Sequence, residues 1–143
     1  MDVRQITETY HAAPQVNPED MAALAEAGFT TVICNRPDVE IPPSHHAAVM
    51  KQAAEAAGLD FHILPLTHQT FTPENIARHK SIVESASGRC LAYCASGTRS
   101  TYAWAMGQAG EMSVDDIVSA GAKGGYDLEP LRGMLEGLAA SRS

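Results

Sequence analysis

Apolar, strand-like runs alternate with helical segments along this chain, and no other sequence feature restricts its fold as strongly. Thr30–Cys34 is continuous and β-branched, which is typical of a strand buried on both faces. Further strands are predicted at 59–66 and 89–93, with a short edge pair near 3–6 and 13–16. Strands that alternate with helices at this spacing are joined by right-handed crossovers and form a mainly parallel sheet flanked by helices.

Capping residues and glycines mark the ends of the predicted helices. The helices are expected to begin at Asn17, Ser44, Thr72, Ser100, Ser113 and Glu129, and the first four to end near Gly28, Ala57, Ala86 and Gln108. A chain of 143 residues, 45% of them hydrophobic, has the size and composition for one core. We therefore expect a single α/β domain over residues 1–143.

Three of the predicted strands end in polar or reactive residues. These strand ends are Cys34–Arg36, Pro65–His68 and Tyr93–Cys94. The carboxyl ends of parallel strands share one edge of the sheet, and ligands bind beyond that edge in open α/β folds. The three segments are therefore expected to contribute to one site.

The last of these strand ends runs into a short turn that opens a helix. Successive amides in such a turn converge on one point, and the helix N-terminus behind them adds partial positive charge. An anion binds in this setting, and a cysteine there is favoured as a nucleophilic thiolate. The predicted catalytic residues are Cys94, Arg99 and Ser100, and the predicted substrate-binding residues are Ala95, Ser96, Gly97, Thr98, Arg36 and His68.

Several of these residues have more than one possible role. Arg99 is expected to bind an anion through its bidentate fork. Ser100 either donates a hydrogen bond to the Cys94 sulfur or caps the helix. Arg36 either holds an anionic donor or pairs with a nearby carboxylate, and His68 is a candidate acid.

Two more residues near the predicted site have alternative roles. Cys34 is either a resolving thiol for a persulfide or a small hydrophobic core residue. Phe71, which follows the strand that ends near His68, is a candidate wall of the site.

Composition narrows the partners and the location. The net charge is −7 without a cluster of basic residues, which argues against a nucleic acid or an anionic membrane as partner. Three cysteines and the lack of an apolar leader at residues 1–5 indicate reduced thiols and a cytoplasmic protein. His45 and His46 are adjacent on a predicted helix and do not face one metal site. No metal or cofactor is expected.

Matching segments over nearly the whole chain resemble a known family. They are Pro18–Asp20, Gly28–Ile33, Asn35–Asp38 with Glu40, Ala57–Leu59, Leu64–Leu66, Tyr93–Ser100 and Gly125–Leu128. The chain is similar to the phosphatase-like domain of the beta-lactamase-hydrolase-like proteins, a bacterial branch of the cysteine-dependent dual-specificity-phosphatase fold. The resemblance implies that fold with Cys94 as nucleophile, either phosphatase or sulfurtransferase activity, and a functional link to a separate metallo-hydrolase.

The spacing of the loop departs from that of the phosphatases. They separate the cysteine and the arginine by five residues, whereas four residues separate Cys94 from Arg99. One residue fewer shortens the loop by about 3.5 Å of contour. The shorter loop resembles that of the rhodanese-type sulfurtransferases, which carry a persulfide.

Two other departures are consistent with sulfur transfer. Tyr93 stands where the phosphatases have a histidine, and no aspartate occurs between Asp60 and Asp115 to act as their general acid. Such an acid contributes about 10²–10⁴ to the rate of phosphoester cleavage, whereas transfer between thiols needs none.

The sequence therefore predicts, as the main function, transfer of sulfane sulfur from a small anionic or persulfide donor through Cys94 to an acceptor thiol. Phosphatase activity through a Cys94 phosphoenzyme is the alternative, with His68 or water replacing the absent acid. A non-catalytic module that binds an anion or a partner is the second alternative.

Overall fold

The computed structural model describes residues 1–142, and Ser143, the last residue of the predicted domain, lies outside them. Its strands are β1 Arg4–Gln5, β2 Tyr10–Ala13, β3 Phe29–Cys34, β4 Asp60–Ile63 and β5 Arg89–Tyr93. Its α-helices are α1 Met21–Glu26, α2 Ala47–Ala56, α3 Pro73–Ser85, α4 Thr98–Gln108, α5 Val114–Lys123 and α6 Arg132–Ser141. Short 3₁₀ turns lie at Pro18–Asp20, Asp38–Glu40, Pro43–His45 and Glu129–Leu131.

The strands form one sheet in the order β1-β2-β5-β3-β4. β1 pairs antiparallel with β2, and the other pairings are parallel. Cys34, the last residue of β3, lies opposite Ile63 of β4 and Tyr93 of β5. The three carboxyl ends therefore meet at one edge, and the predicted α/β fold with a mainly parallel sheet is confirmed.

Helices cover both faces of this sheet. Alternate residues of each strand point to opposite faces, so one strand contributes side chains to two clusters. Leu91 and Tyr93 of β5 pack in the cluster that includes α1 and α2. Cys90 and Ala92 pack in the cluster that includes α4, α5 and α6. The edge of the sheet at which the three carboxyl ends meet, here called the site edge, therefore lies between two separately packed layers of helices.

The predicted edge pair of strands is partly wrong. The pair formed by β1 and β2 lies at one edge of the sheet, as predicted, but its second strand is Tyr10–Ala13, not 13–16. Pro14 follows it directly and has no N–H to continue the ladder. β4 is also shorter than its predicted range of 59–66.

Two predicted helix caps are confirmed, and two helix starts differ. The hydroxyls of Thr72 and Ser113 accept hydrogen bonds from amides in the first turns of α3 and α5. α2 begins at Ala47, whose amide donates to Asp38 rather than to the predicted cap Ser44. α4 begins at Thr98, two residues before the predicted start. Within residues 1–142 no helix is long and apolar enough to cross a bilayer.

Candidate active site

Cys94 follows β5 directly and is completely buried at the base of a tight turn. The Gly97 amide donates to its Sγ at 3.1 Å. Gly97 has φ +92°, in the left-handed region that glycine adopts without a steric penalty. This residue turns the chain so that α4 starts immediately after it.

The backbone amides around this thiol are largely unused. The amides of Ala95, Ser96, Arg99 and Ser100 donate to no acceptor within residues 1–142. Two of them belong to the loop, and two belong to the first turn of α4, where amides have no intrahelical partner. The two sources together give a set of donors suited to the oxygens of a bound anion.

The side chain of Arg99 is held by a carboxylate and a backbone carbonyl. Its Nη1 donates to Glu40 Oε2 and to the Leu66 carbonyl, both at 2.9 Å, and its Nη2 donates to Glu40 Oε1 at 2.7 Å. A guanidinium has five N–H donors. The Nε–H and one Nη2–H remain, and they lie along one edge in the geometry that binds two oxygens of an anion.

The opposite charges of Arg99 and Glu40 stabilise each other. The hydrogen bonds from Arg99 are the main reason that the pKa of Glu40 is lowered, so the carboxylate stays ionised. The pKa of Arg99 is raised, chiefly by its hydrogen bonds to Glu40 and to a smaller extent by its interaction with Cys94. Glu40 is a carboxylate near Arg36 in the sequence, but its contact with Arg99, 59 residues away, has no local sequence signal.

Arg36 adopts the bracing role that the sequence left open. Its Nε lies 3.4 Å from Glu40 Oε1, and its Nη1 lies 3.4 Å from the side-chain oxygen of Gln15. A further bond reaches the Glu40 carbonyl. Arg36 therefore holds Glu40 in place, and Glu40 in turn holds Arg99. The predicted contact of Arg36 with a bound anion stays a prediction.

Ser100 does not donate to the Cys94 sulfur. Its hydroxyl donates to Asn35 Oδ1 at 2.8 Å, and both residues are fully buried. Asn35 Nδ2 donates to the Leu64 carbonyl at 3.0 Å and lies 3.5 Å from His79 Nδ1. Ser100 thus ties the first turn of α4 to the ends of β3 and β4.

The proton positions in this network follow from its partners. The Tyr10 hydroxyl donates to the Ser100 carbonyl at 2.7 Å and lies 2.9 Å from His79 Nε2. With its single proton used, Tyr10 accepts from Nε2–H, which leaves Nδ1 of His79 to accept from Asn35. Every member is satisfied with a neutral imidazole, and burial lowers the pKa of His79 to about 4.

The hydrogen-bonding roles of Asn35, His79 and Tyr10 in the site are not among the sequence-based predictions. A signal for His79 was available, since it lies three residues after Ile76 on the buried face of α3. Asn35 stands at a strand end already expected to contribute, but its partner is 44 residues away in the chain.

His68 and Phe71 lie beside Arg99. All three line one cavity of about 600 Å³ at the site edge. His68 is exposed, and its side chain makes no hydrogen bond within the described residues 1–142. The imidazole is therefore available to a molecule bound near Arg99.

Cys34 is buried in the sheet, where its Sγ donates to the Arg36 carbonyl at 3.4 Å. Burial is the main cause that raises the pKa of this thiol. The small hydrophobic core role, one of its two predicted roles, agrees with this environment.

A family model described as the phosphatase-like domain of beta-lactamase hydrolase-like protein matches residues 2–111. Beta-lactamase hydrolase-like proteins are 32% identical over 130 residues in Agrobacterium fabrum and 28% identical over 130 residues in Xylella fastidiosa. Both alignments cover 90% of this chain and 30% of the relative. The chain therefore spans less than a third of the length of these curated relatives.

Solved structures agree with this match. A candidate phosphatase from Neisseria meningitidis is 32% identical, with a TM-score of 0.83 over 96% of this chain and 99% of that chain. TpbA of P. aeruginosa in complex with pTyr is 14% identical, with a TM-score of 0.67 over 98% of this chain and 89% of that chain. At that identity the second likeness concerns the fold alone.

Sulfur transfer, the main function predicted from the sequence, is wrong. The matched family and the Neisseria structure are phosphatase-like, and the predicted alternative fits them better. The four-residue spacing does not exclude a phosphatase-like site, because α4 begins at Thr98 and the amides of Arg99 and Ser100 in its first turn are unpaired within residues 1–142. The persulfide belonged to that prediction and is dropped with it. The chain belongs to the phosphatase-like domain family of the beta-lactamase hydrolase-like proteins.

Proposed function

We propose that this domain hydrolyses phosphomonoesters through a phosphoenzyme on Cys94. The observation that carries the proposal is the set of unused donors around the buried thiol. Four amides and the open edge of Arg99 provide six N–H groups, and the three non-bridging oxygens of a phosphoryl group accept two hydrogen bonds each. Donors already oriented before the reaction stabilise the charge of the transition state.

The reaction has two steps. In the first, the Cys94 thiolate attacks phosphorus, an S–P bond forms, and the bond from phosphorus to the alcohol oxygen breaks. The alcohol leaves with a proton. In the second, a water molecule attacks phosphorus, the S–P bond breaks, and inorganic phosphate and the thiolate are released.

His68 is our candidate for the proton donor of the first step. It lines the same cavity as Arg99, and its imidazole is not engaged by residues 1–142. A histidine in this position would donate to the leaving oxygen and later accept a proton from water. The chemistry also requires Cys94 to stay reduced, which a cytoplasmic location would provide.

Turnover of p-nitrophenyl phosphate, with intact-mass detection of the intermediate, tests the proposal. We expect the wild type to release phosphate and, after rapid acid quench, to carry one phosphoryl group. Cys94→Ser should lose turnover. Arg99→Lys keeps the charge but not the two-donor edge, so kcat/KM should fall about 10²-fold. Arg89→Lys, at the opposite end of β5, is the matched control and should retain activity.

Turnover by Cys94→Ser at the wild-type rate would disprove the mechanism. Phosphate binding without turnover in the wild type would instead favour the non-catalytic module.

A further inference from the structure

An apolar groove opens beside Arg99. Its volume is about 600 Å³, which falls in the range of sites that enclose a whole small molecule. The polar lining consists of Arg99, Glu40, Thr67 and His68, apart from the hydroxyl of Tyr102. The remaining lining residues are Phe71, Tyr102, Met106, Leu131 and Met134.

The groove follows one face of α4. Arg99, Tyr102 and Met106 are spaced at i, i+3 and i+7, so they lie in a row along the helix. Seven residues of α-helix correspond to about 10 Å. The row therefore starts at the anion-binding side chain and extends beyond the size of a single aromatic ring.

A second cavity continues this row. It has a volume of about 130 Å³ and shares Phe71, Met106 and Met134 with the first. Ile76 and Leu138 extend its apolar lining. Methionine side chains are flexible and polarisable, so two of them in the shared wall suit a ligand of variable shape.

Charge within the groove is unevenly distributed. Glu40 is paired with both Arg99 and Arg36, so its charge is compensated. No other carboxylate borders the two cavities among residues 1–142. Met134 is 51% exposed, although large apolar side chains are usually covered. The second cavity also borders Thr72 and Arg142, whose guanidinium donates to the Met106 and Ala109 carbonyls. The groove thus joins Arg99 at one end to a mainly apolar body.

We propose that the substrate is a phosphomonoester whose alcohol is a large, uncharged apolar group that lies in this groove along α4. The inference rests on the proposed phosphatase function and specifies its substrate class. The phosphoryl group would meet Arg99 and the Cys94 loop, and the apolar group would displace water from Phe71, Met106 and Met134. Alkyl chains and fused aromatic rings share this chemistry.

Binding of n-alkylphosphonates, which cannot be hydrolysed, tests the groove independently of catalysis. From butyl- to octylphosphonate, the dissociation constant measured by calorimetry should fall about fourfold per added methylene. Alkyl phosphates of the same chain lengths should show a parallel rise in kcat/KM, since their leaving alcohols are equally reactive. Phenyl and 2-naphthyl phosphates form the aromatic arm, and a gain limited to that arm would identify a ring rather than a chain as the ligand.

Substitution of one groove residue completes the test. Met134→Glu should weaken octylphosphonate about tenfold relative to butylphosphonate, and Met134→Leu should restore the wild-type ratio. Val49→Glu is the matched control, because Val49 is also an exposed apolar residue but lies on α2, across the sheet. It should leave the ratio unchanged.

A flat response to chain length and to ring size overturns the inference even if p-nitrophenyl phosphate is hydrolysed. An equal effect of Met134→Glu and Val49→Glu also overturns it. A chain-length dependence in binding without hydrolysis of any ester would support the groove and refute the phosphatase proposal.

Discussion

A single carboxylate determines how the principal cation of the site is presented. Glu40 takes two of the five guanidinium donors of Arg99, and the Leu66 carbonyl takes a third. The side chains of Arg99 and Glu40 are only 26% and 33% exposed, so the pair is partly shielded from solvent. The pair orients Arg99, because it leaves the Nε–H and one Nη2–H of the guanidinium for a ligand.

The buried histidine of the network makes stability depend on pH. The pKa of His79 is about 4 in the folded protein, below the value of 6.5 for a free histidine. Between these values the unfolded chain binds a proton that the folded protein does not, so stability falls as the pH falls from about 6.5 to about 4. The difference corresponds to about 3 kcal/mol.

We therefore expect His79→Gln to remove this dependence. Urea unfolding of the wild type between pH 4 and 8 should show a loss of stability below about pH 6.5. That loss should be smaller by about 3 kcal/mol in His79→Gln. His62→Gln, the same substitution on β4, is the control and should follow the wild type. Parallel curves for the wild type and His79→Gln would contradict the assigned proton positions.

At the scale of elements, the start of α4 creates the site. One glycine in the left-handed conformation allows the helix to begin soon after Cys94 rather than later. The amides of Arg99 and Ser100 in this first turn are unpaired within residues 1–142, and the Ser100 hydroxyl ties the same turn to Asn35. The short loop after Cys94 and the early start of α4 therefore both result from the turn at Gly97.

Gly97→Ala should disrupt this element. A Cβ at this position would collide with the Tyr126 hydroxyl, and the left-handed backbone costs a residue with a side chain about 1–2 kcal/mol. We expect a loss of about 1–3 kcal/mol in the free energy of unfolding and a fall of about 10² or more in kcat/KM with p-nitrophenyl phosphate.

Gly137→Ala is the control for this substitution. Gly137 lies within α6 and has no positive φ, and a Cβ added there would meet no atom within 4 Å. Alanine should stabilise the helix there by about 0.5–1 kcal/mol and leave turnover unchanged. Wild-type turnover by Gly97→Ala would show that the loop geometry is not required.

At the scale of the whole molecule, folding assembles the candidate site from distant parts of the chain. The site draws on β3, on β5 and α4, and on the segments that carry Glu40 and Leu66. These parts are brought together only in the folded chain. An anion that bridges them therefore binds the native state and stabilises it by mass action.

Inorganic phosphate should accordingly raise the melting temperature. At ten times its dissociation constant it contributes about 1.4 kcal/mol, which for a domain of this size is about 4 °C. Arg99→Ala should abolish the shift, whereas Arg89→Ala should retain it. Differential scanning fluorimetry in matched chloride and phosphate buffers of equal ionic strength measures the effect. An equal shift in Arg99→Ala would place the anion elsewhere.

The sequence alone determined the layered α/β fold and the position of the candidate nucleophile, Cys94, directly after the last strand. Both depend on short-range patterns: the apolar run before Cys94, the glycine after it and the helix that follows are consecutive in the chain. The parallel sheet follows from the alternation of strands and helices, which constrains topology without reference to particular contacts.

Only the tertiary structure decided what the site can hold. Glu40 and Arg99 are 59 residues apart, and Asn35 and His79 are 44 apart, so no local pattern predicts either contact. The spacing from Cys94 to Arg99 predicts a loop about 3.5 Å shorter in contour than that of the phosphatases, and contour length is the only measure that a local pattern provides. The groups that the loop from Cys94 to Arg99 can bind depend instead on where α4 begins and on which amides are left unpaired. Both are set by contacts between distant parts of the chain.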